Sequence, residues 1–555
     1  MRKLSDHDLA QLDKDRLKSL PLGVLLDVTE KLLDDLKSAR DQINQTSKNS
    51  SKPPSSDPPW GVKSEPTAPG EKAEDVSERT LDVDGTSGDT LPLDPEDGPG
   101  SVPKLESKPA EESTATKTTA PTEAKPAKKR PGKQPGAPGY GRTQTFNLTD
   151  QVQHVPERCA LCGETLEQAP GFVYTAYDVL DVVVTPSPSG GLGVTYTRHY
   201  CHERQCTCGH HTRYLPHKEA SVEGSEDFPW SVEINERYLV GPELVSLVIS
   251  LSLHLHASRR KIQEWLRDWL NIELSIGTIN QCIHEAGRIL EPVQAEILEE
   301  ILKSDMLHID ETLWKEQASP VVWLWVVVTA HVTLFMFGRR TREAIAPILF
   351  SGLFQGWLMS DGYVVYRDYD QRLRCLAHLH RKARGLVESV DSQARAFGQR
   401  ALDFLDWVMN EVYAARLLPT GPPENVLYVK HLKELDAFWD VCSEHWECEH
   451  EKTRALAREF IYDWDAIWAV MDYPGLPLTN NAAERALRSA VIHRRICMGT
   501  RNPQGSRAYG VIASVIATCR QRSASPWTFI AEAIRLRRQG FAVPKLPPVP
   551  QAVVA

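Results

Sequence analysis

Long apolar runs are what this 555-residue chain lacks. No uninterrupted stretch reaches the roughly 20 apolar residues that a helix needs to cross a bilayer. The longest candidate, Val321 to Phe337, is broken by Thr329, His331 and Thr333, and predicts paired strands instead. An apolar signal core is missing too, since the chain opens Met1-Arg-Lys-Leu-Ser-Asp-His-Asp8. The expectation is a cytoplasmic, nucleoid-associated protein with no membrane partner. Cysteine is scarce, at 11 residues, which argues against a disulfide framework. Five of these, Cys159, Cys162, Cys201, Cys206 and Cys208, crowd into one short region, and in a reducing compartment that suggests metal.

A large net charge is also missing, at −10 over the whole chain, but charge is segregated. Residues 57–112 carry 15 acids and 5 bases, and residues 117–142 carry 7 bases and 1 acid. Residues 479–540 hold 11 arginines against only Glu484 and Glu532. A basic face over a defined segment says more about a polyanionic partner than the overall balance does.

The length suits roughly two to four domains. Within residues 1–45, Leu22, Leu25, Thr29, Leu32, Leu36, Ala39 and Ile43 recur every three or four positions. This predicts an amphipathic helix that either packs on its own chain or forms a short coiled coil between two protomers. Residues 46–145 are rich in Pro, Ser, Thr, Gly, Glu and Asp, a composition that predicts a disordered linker. Its end, Lys125 to Gly139, is basic and either lies along phosphates or stays solvated. Residues 146–216 read as short strands around the cysteines, with Asp178–Thr185 and Gly193–Tyr200 as a hairpin. A helical segment follows over 217–300. Residues 301–500 read as strands, a helix and a further strand, then a helical insertion at about 370–470. Residues 501–555 read as a C-terminal helical segment and tail. The fold class expected is multidomain α+β.

Cys159-Ala-Leu-Cys162-Gly163 has the shape of a zinc knuckle, two thiolates with a glycine that relieves the turn. The second half comes from His199 to Gly209, where Cys206 and Cys208 are favoured and Cys201 can replace either. A hairpin between the halves gives a zinc-ribbon-like module with one structural Zn2+. Reduced core thiols are the alternative. Further on, Ser258 and Ser275 each precede a short helical pattern. The pair predicts either a helix-turn-helix that offers Thr278, Asn280 and Gln281 to bases, or a plain helical hairpin.

Asp310 ends an apolar segment, Met306-Leu-His-Ile-Asp310-Glu311-Thr312, and Asp361 ends another, Trp357-Leu-Met-Ser-Asp361-Gly362. Two carboxylates at the ends of neighbouring strands can converge on one site. A third, Glu484, lies in Thr479-Asn-Asn-Ala-Ala-Glu484-Arg-Ala-Leu-Arg488, which opens a basic helix. Phosphodiester chemistry needs these residue types. Two Mg2+ (or Mn2+) ions about 3.5–4 Å apart serve both ends of an in-line displacement, and hard cations prefer carboxylate oxygen. Each acid by itself also reads as a helix cap or a surface charge. Arg485, Arg488, Arg494, Arg495 and Arg501 are candidate phosphate contacts, or else a solvated basic face. His378 and His380 either orient a phosphate or sit in the core.

At these residues the chain resembles the insertion sequence 66 family of bacterial transposases, in its large subunit. The likeness is carried by Asn49 to Asp57, the basic Pro-Gly stretch, the cysteine knot and His308-Ile-Asp310-Glu311-Thr312. Ser360-Asp361-Gly362-Tyr363, Cys375-Leu-Ala-His378 and Asn480-Asn-Ala-Ala-Glu484-Arg-Ala-Leu-Arg488 carry it further, with Gly499 to Gly510 and Thr518-Cys519 behind them. The resemblance implies an RNase H-like catalytic core with Asp310, Asp361 and Glu484 as the metal-binding triad of a DDE-type DNA transposase. It implies a helical insertion between Asp361 and Glu484, and N-terminal modules for assembly and end binding. Implied partners are double-stranded DNA (element ends and target), a homo-oligomer on DNA, and accessory proteins of the element. Leu376 stands where the family usually has an aromatic, His380 stands in part for an arginine-rich continuation, and the linker is unusually long and acidic. Two other readings stand beside this one: a catalytically silent DNA-binding relic, and an RNase H-like nuclease that cuts without joining.

Overall fold

The computed structural model describes residues 17–18, 20–43, 49, 144–184, 191–214, 240–317, 319–419, 421 and 424–550, all within one compact unit made of residues 1–60 and 144–555. The linker expected over 46–145, apart from residues 49 and 144–145, lies outside the described residues. So do the hairpin turn at 185–190 and the last five residues.

Helix α1 (Leu22–Ile43) follows the expected apolar period. Its inner side is half-buried at Leu25, Val28 and Leu32, while Leu22, Leu26, Leu33 and Leu36 are exposed. Its last turn is fastened by Asp41, which accepts a 2.7 Å hydrogen bond from the Ser389 hydroxyl.

Strands β1 (Asp150–His154), β2 (Gly171–Val184), β3 (Leu192–Gln205) and β4 (His211–Arg213) form a small sheet around the cysteines. Strand β3 sits between β1 and β2 and also pairs with β4; only the β1–β3 pairing is parallel. The hairpin strands are longer than the alternation predicts. The extra length, Cys201 to Gln205, is polar, yet it is strand because β2 pairs with it on one side and β4 with its end on the other. Glu203, 5% exposed, is flanked there by His211 at 2.8 Å and Arg213 at 2.5 Å.

Helix α2 (Pro242–Ile249) begins with proline, whose missing N–H is no loss in a first turn. Helices α3 (Arg259–Leu270) and α4 (Ile276–Ile289) start at Ser258 and Ser275. Each hydroxyl accepts from the amide three residues on, Lys261 and Thr278, as the cap chemistry predicts. Asn271, with φ of 52°, closes α3 in the left-handed region. Helix α5 (Glu291–Leu302) leads into the main sheet.

That sheet holds β5 (Met306–Glu316), β6 (Ser319–Val328), β7 (Thr333–Gly338), β8 (Trp357–Ser360) and β9 (Arg372–Arg374). The order is β7-β6-β5-β8-β9, with β5, β6 and β7 antiparallel in turn and β8 and β9 parallel to β5. Helix α6 (Arg342–Leu349) links β7 to β8. The insertion contains α7 (Leu376–Val387), α8 (Ser392–Arg416), α9 (Leu427–Lys430), α10 (Leu432–Glu444), α11 (Glu451–Tyr462) and α12 (Trp464–Asp472). The chain ends with α13 (Asn481–Cys497), α14 (Pro503–Gln521) and α15 (Pro526–Arg538).

The apolar interior differs from the boundaries expected at 300 and 500. Helices α2 to α5, strands β5 to β7 and helices α13 to α15 share one continuous core. The reason is the outer strand β7. Its apolar face needs a cover, and α14 supplies one. The Ser514 and Thr518 hydroxyls accept from the amides of Phe335 at 2.8 Å and Thr333 at 3.1 Å. Gly287 lets α4 approach α14, since a Cβ there would sit 2.7 Å from that of Ala508. The insertion helices build a second core around Phe397, Phe460 and Trp468, which reaches the main sheet through Met359 and Leu373. Among the described residues, no helix is long and apolar enough to cross a membrane.

Candidate active site and metal centre

The register of two parallel strands sets the site. His308 of β5 pairs with Met359 of β8, so Asp310 and Asp361, each two residues further on, stand side by side at one height. Glu484 lies in the first turn of α13. Asn480 brings that turn to the strand. It is fully buried, its Nδ2 donates to the Ile309 carbonyl at 2.8 Å, and its Oδ1 lies 3.2 Å from His308 Nδ1. Its backbone amide donates to the Cys375 sulfur at 3.2 Å. The first turn of α13 is thus stapled one residue before Asp310.

The three acids feel each other. Burial first, then the charges of Asp361, Glu311 and Glu484, raise the Asp310 carboxyl well above the ordinary aspartate value. A bound cation would relieve this crowding, and all the donors are hard carboxylate oxygens. The donor chemistry suits Mg2+ or Mn2+, yet among the described residues the three carboxylates do not close to ligand spacing; a Glu484 oxygen lies within 4.8 Å of donor atoms of Cys375 and His378 instead. Glu484 is held from the other side by Arg381, whose Nη2 donates at 3.0 Å, and by His378, whose Nε2 lies 3.7 Å away. Burial, reinforced by Arg381, Arg374 and Lys382, drives His378 down to about 3, so its ring is neutral near pH 7. His380 turns to the insertion instead, 3.1 Å from Asp406.

Sequence reasoning left three participants unassigned. Asn480 was placed on the helix without its link to β5. Arg381 followed the histidine motif without a role. Glu311 was quoted without a function. Its side chain is 1% exposed and takes hydrogen bonds from Arg340 Nε at 2.7 Å and the Tyr366 hydroxyl at 2.8 Å. The usable signal was strand alternation, which turns Glu311 to the opposite face from Asp310. Tyr366 lies just past Asp361, so this bond pins the turn that carries the second aspartate.

Among the basic candidates, Arg485, Arg488, Arg495 and Arg501 are exposed. Arg494 is half-buried and donates to the Thr312 hydroxyl at 3.0 Å, which ties α13 to β5. On α4, Asn280 and Gln281 are exposed, whereas Thr278 is half-buried with its hydroxyl 2.9 Å from that of Ser275.

The sulfurs of Cys159, Cys162, Cys206 and Cys208 lie within 4.8 Å of one another, a possible metal site. Two pairs are closest, Cys159–Cys208 at 3.7 Å and Cys162–Cys206 at 3.5 Å. A tetrahedral Zn2+ with bonds of about 2.3 Å sets its sulfurs about 3.8 Å apart, so the spacing fits. The glycine after each knuckle is left-handed, Gly163 at φ 74° and Gly209 at φ 85°. Each donates back to the first cysteine of its turn, both at 2.9 Å. Cys201 is fully buried on β3 and stands apart from the four, which corrects its place as an interchangeable ligand. The thiols are coupled: the amide of Cys162 leads in drawing Cys159 down, while Cys162 and Cys206 are pushed up among their neighbouring sulfurs.

Comparison with known proteins bears on the same segment. Residues 2–88 match a family of unknown function, DUF6444. An uncharacterized protein of Sinorhizobium fredii (strain NBRC 101917 / NGR234), y4jD, is 24% identical over 243 residues, 41% of this chain and 44% of that relative. A second from the same organism, y4qI, is 23% identical over 313 residues, 50% of this chain and 56% of the relative. The chain thus spans about half the length of these curated relatives. Residues 237–508, which contain all three acids, match the model of the transposase IS66 family.

Proposed function

We propose that the chain is a DNA transposase of DDE type, which cleaves and rejoins phosphodiesters at the ends of an insertion sequence. One observation carries this reading: Asp310 lies on β5 and Asp361 just past the end of β8, its parallel neighbour, while Asn480 staples the helix turn that bears Glu484 to β5. Three antiparallel strands continued by two parallel ones support an RNase H-like core. Asp310, Asp361 and Glu484 would hold two divalent ions, which supply charge neutralisation and an activated oxygen nucleophile. The chain's own part is positioning. Asn480 fixes Glu484 against β5, Glu311 fixes the Asp361 turn, and Arg381 balances Glu484 before a cation arrives. The exposed arginines of α13 supply positive potential for the DNA backbone. The four cysteines fit one structural Zn2+, which leaves no open position for catalysis. The exposed stripe Leu22, Leu26, Leu33 and Leu36 supports a homo-oligomer through α1.

The test is strand transfer with labelled element ends and Mg2+, comparing the wild type with Asp361→Asn. Loss of at least about a thousandfold in joining is expected, with DNA binding retained. Equal joining by both proteins would remove Asp361 from the site. Cleavage without joining by the wild type would favour the nuclease reading.

A further inference from the structure

A second basic group lies away from the acid cluster, and no acid answers it. Arg259 opens α3, and its Nη1 donates to the Ser252 hydroxyl at 2.7 Å. Ser252 is fully buried, so the guanidinium is drawn inward, and Arg259 is only partly exposed. Among the described residues its other N–H groups have no acceptor and no carboxylate pairs with it. The titratable groups that reach it are the Cys497 thiol, Arg501, His493 and His284, and burial leads in holding it below the ordinary arginine value. His493, 4% exposed, has an Nδ1 without a hydrogen-bond partner. So has His256, whose ring meets that of His493 edge-on at 5.6 Å between centroids.

The backbone around this group is strained. His256 and Met498 are left-handed at φ 53° and 60°, although neither is glycine. One precedes α3 and the other follows α13, and Cys497 donates to the His256 carbonyl at 3.2 Å across the junction. Non-glycine residues hold such conformations only where their surroundings over-determine them, and these cluster at binding sites. A guanidinium partly removed from water with no carboxylate among the described residues is costly, and an oxyanion seated against it would remove the cost.

We infer that the junction of α3 with the C-terminal end of α13 is an oxyanion site that receives one backbone phosphate of bound DNA, with Arg259 as its central cation and Arg501 beside it. The inference rests on the transposase reading, which supplies the phosphodiester. The site lies about 20 Å along α13 from Glu484, so it is separate from the acid cluster. Arg259 stands on the first helix of the pair whose second helix exposes Asn280 and Gln281. Backbone contacts from a first helix set the register of such a pair on a duplex. The planar fork of arginine matches phosphate better than a lysine point charge does.

The test uses the full chain and a short DNA duplex. Arg259→Gln is expected to weaken binding about tenfold and to reduce the log–log salt slope by about one. Arg501→Gln, at an exposed position, should reduce the slope without burdening the fold. Inorganic phosphate should raise the melting temperature of the wild type more than that of Arg259→Gln. Without ligand, the variant should melt no lower than the wild type, because it sheds an unanswered charge. Unchanged slopes in both variants, with DNA still bound, would overturn the site and leave the transposase reading standing. Melting several degrees lower, with equal phosphate stabilisation of both proteins, would make Arg259 structural and also overturn it. A wild type that binds no duplex would defeat both.

Discussion

At the residue scale, Asn480 decides more than its polarity suggests. An isolated asparagine before a helix reads as a cap, yet its side chain makes no cap bond and spends both amide atoms on β5. Removing it leaves a buried Ile309 carbonyl without its donor, which costs about 1–3 kcal/mol. Asn480→Ala is therefore expected to lower the melting temperature by several degrees. With the proposed activity, it should also shift the Mg2+ concentration needed for half-maximal strand transfer upward, because the turn that bears Glu484 loses its anchor on β5. A magnesium titration that overlays the wild type would show that the staple is not needed. The settings of Asp310, Asp361 and Glu484 were legible in the chain because each stands in a distinctive local pattern, although Asp310 falls inside β5 rather than at its end. Asn480's partner was not, since it lies over 170 positions away.

At the element scale, the two ends of the cysteine sheet are held differently. Leu180 and Val182 of β2 join the main core, whereas the knuckle end has only Cys159, Leu166 and Cys206 with Ala169 against them. So little burial leaves the knuckle end in need of a staple. With zinc at the four cysteines, as proposed, Cys208→Ser or exposure to a zinc chelator should strip amide-exchange protection from β1 and β4. Protection in β5 to β9 should persist, because that sheet has its own core. Retained protection in β1 and β4 after metal loss would show that the knuckles stand alone. Here the two Cys-Gly knuckles could be read from spacing, and so could the hairpin. The strand ends could not, because pairing with β2 and β4 makes a polar run extended.

At the scale of the whole molecule, the two cores are latched by buried charge. Asp463 on the insertion receives Arg367 at 2.9 Å and Arg372 at 2.8 Å, both from the β8–β9 side of the sheet. Glu459 receives Arg374 and, at 2.6 Å, Lys382. Burial alone would raise the Glu459 carboxyl, but Arg374 and Lys382 outweigh it and hold it at about 2, against an ordinary 4.5. A depressed carboxylate stabilises the fold fully above pH 4.5 and loses that contribution as pH falls toward about 2. The difference corresponds to about 3 kcal/mol. Stability of the wild type should therefore fall more steeply below pH 4.5 than that of Glu459→Gln, by chemical denaturation at fixed salt. Parallel curves would remove Glu459 from the latch. Breaking a buried pair by removing one partner is itself costly, so the variant should be less stable at neutral pH.

The chain by itself determined its local chemistry: strand and helix periods, the serine caps, the paired cysteine knuckles, and the three acids in their own settings. These depend on neighbours within a few positions, where propensity and hydrogen-bond reach operate. Only the tertiary structure decided that Asn480 ties α13 to β5, that Cys201 stands outside the group of four cysteines, and that α14 completes the main core. Those outcomes turn on strand register and on which buried polar groups find partners far along the chain. Such choices are made by packing and desolvation across the whole molecule, which no short window of sequence contains.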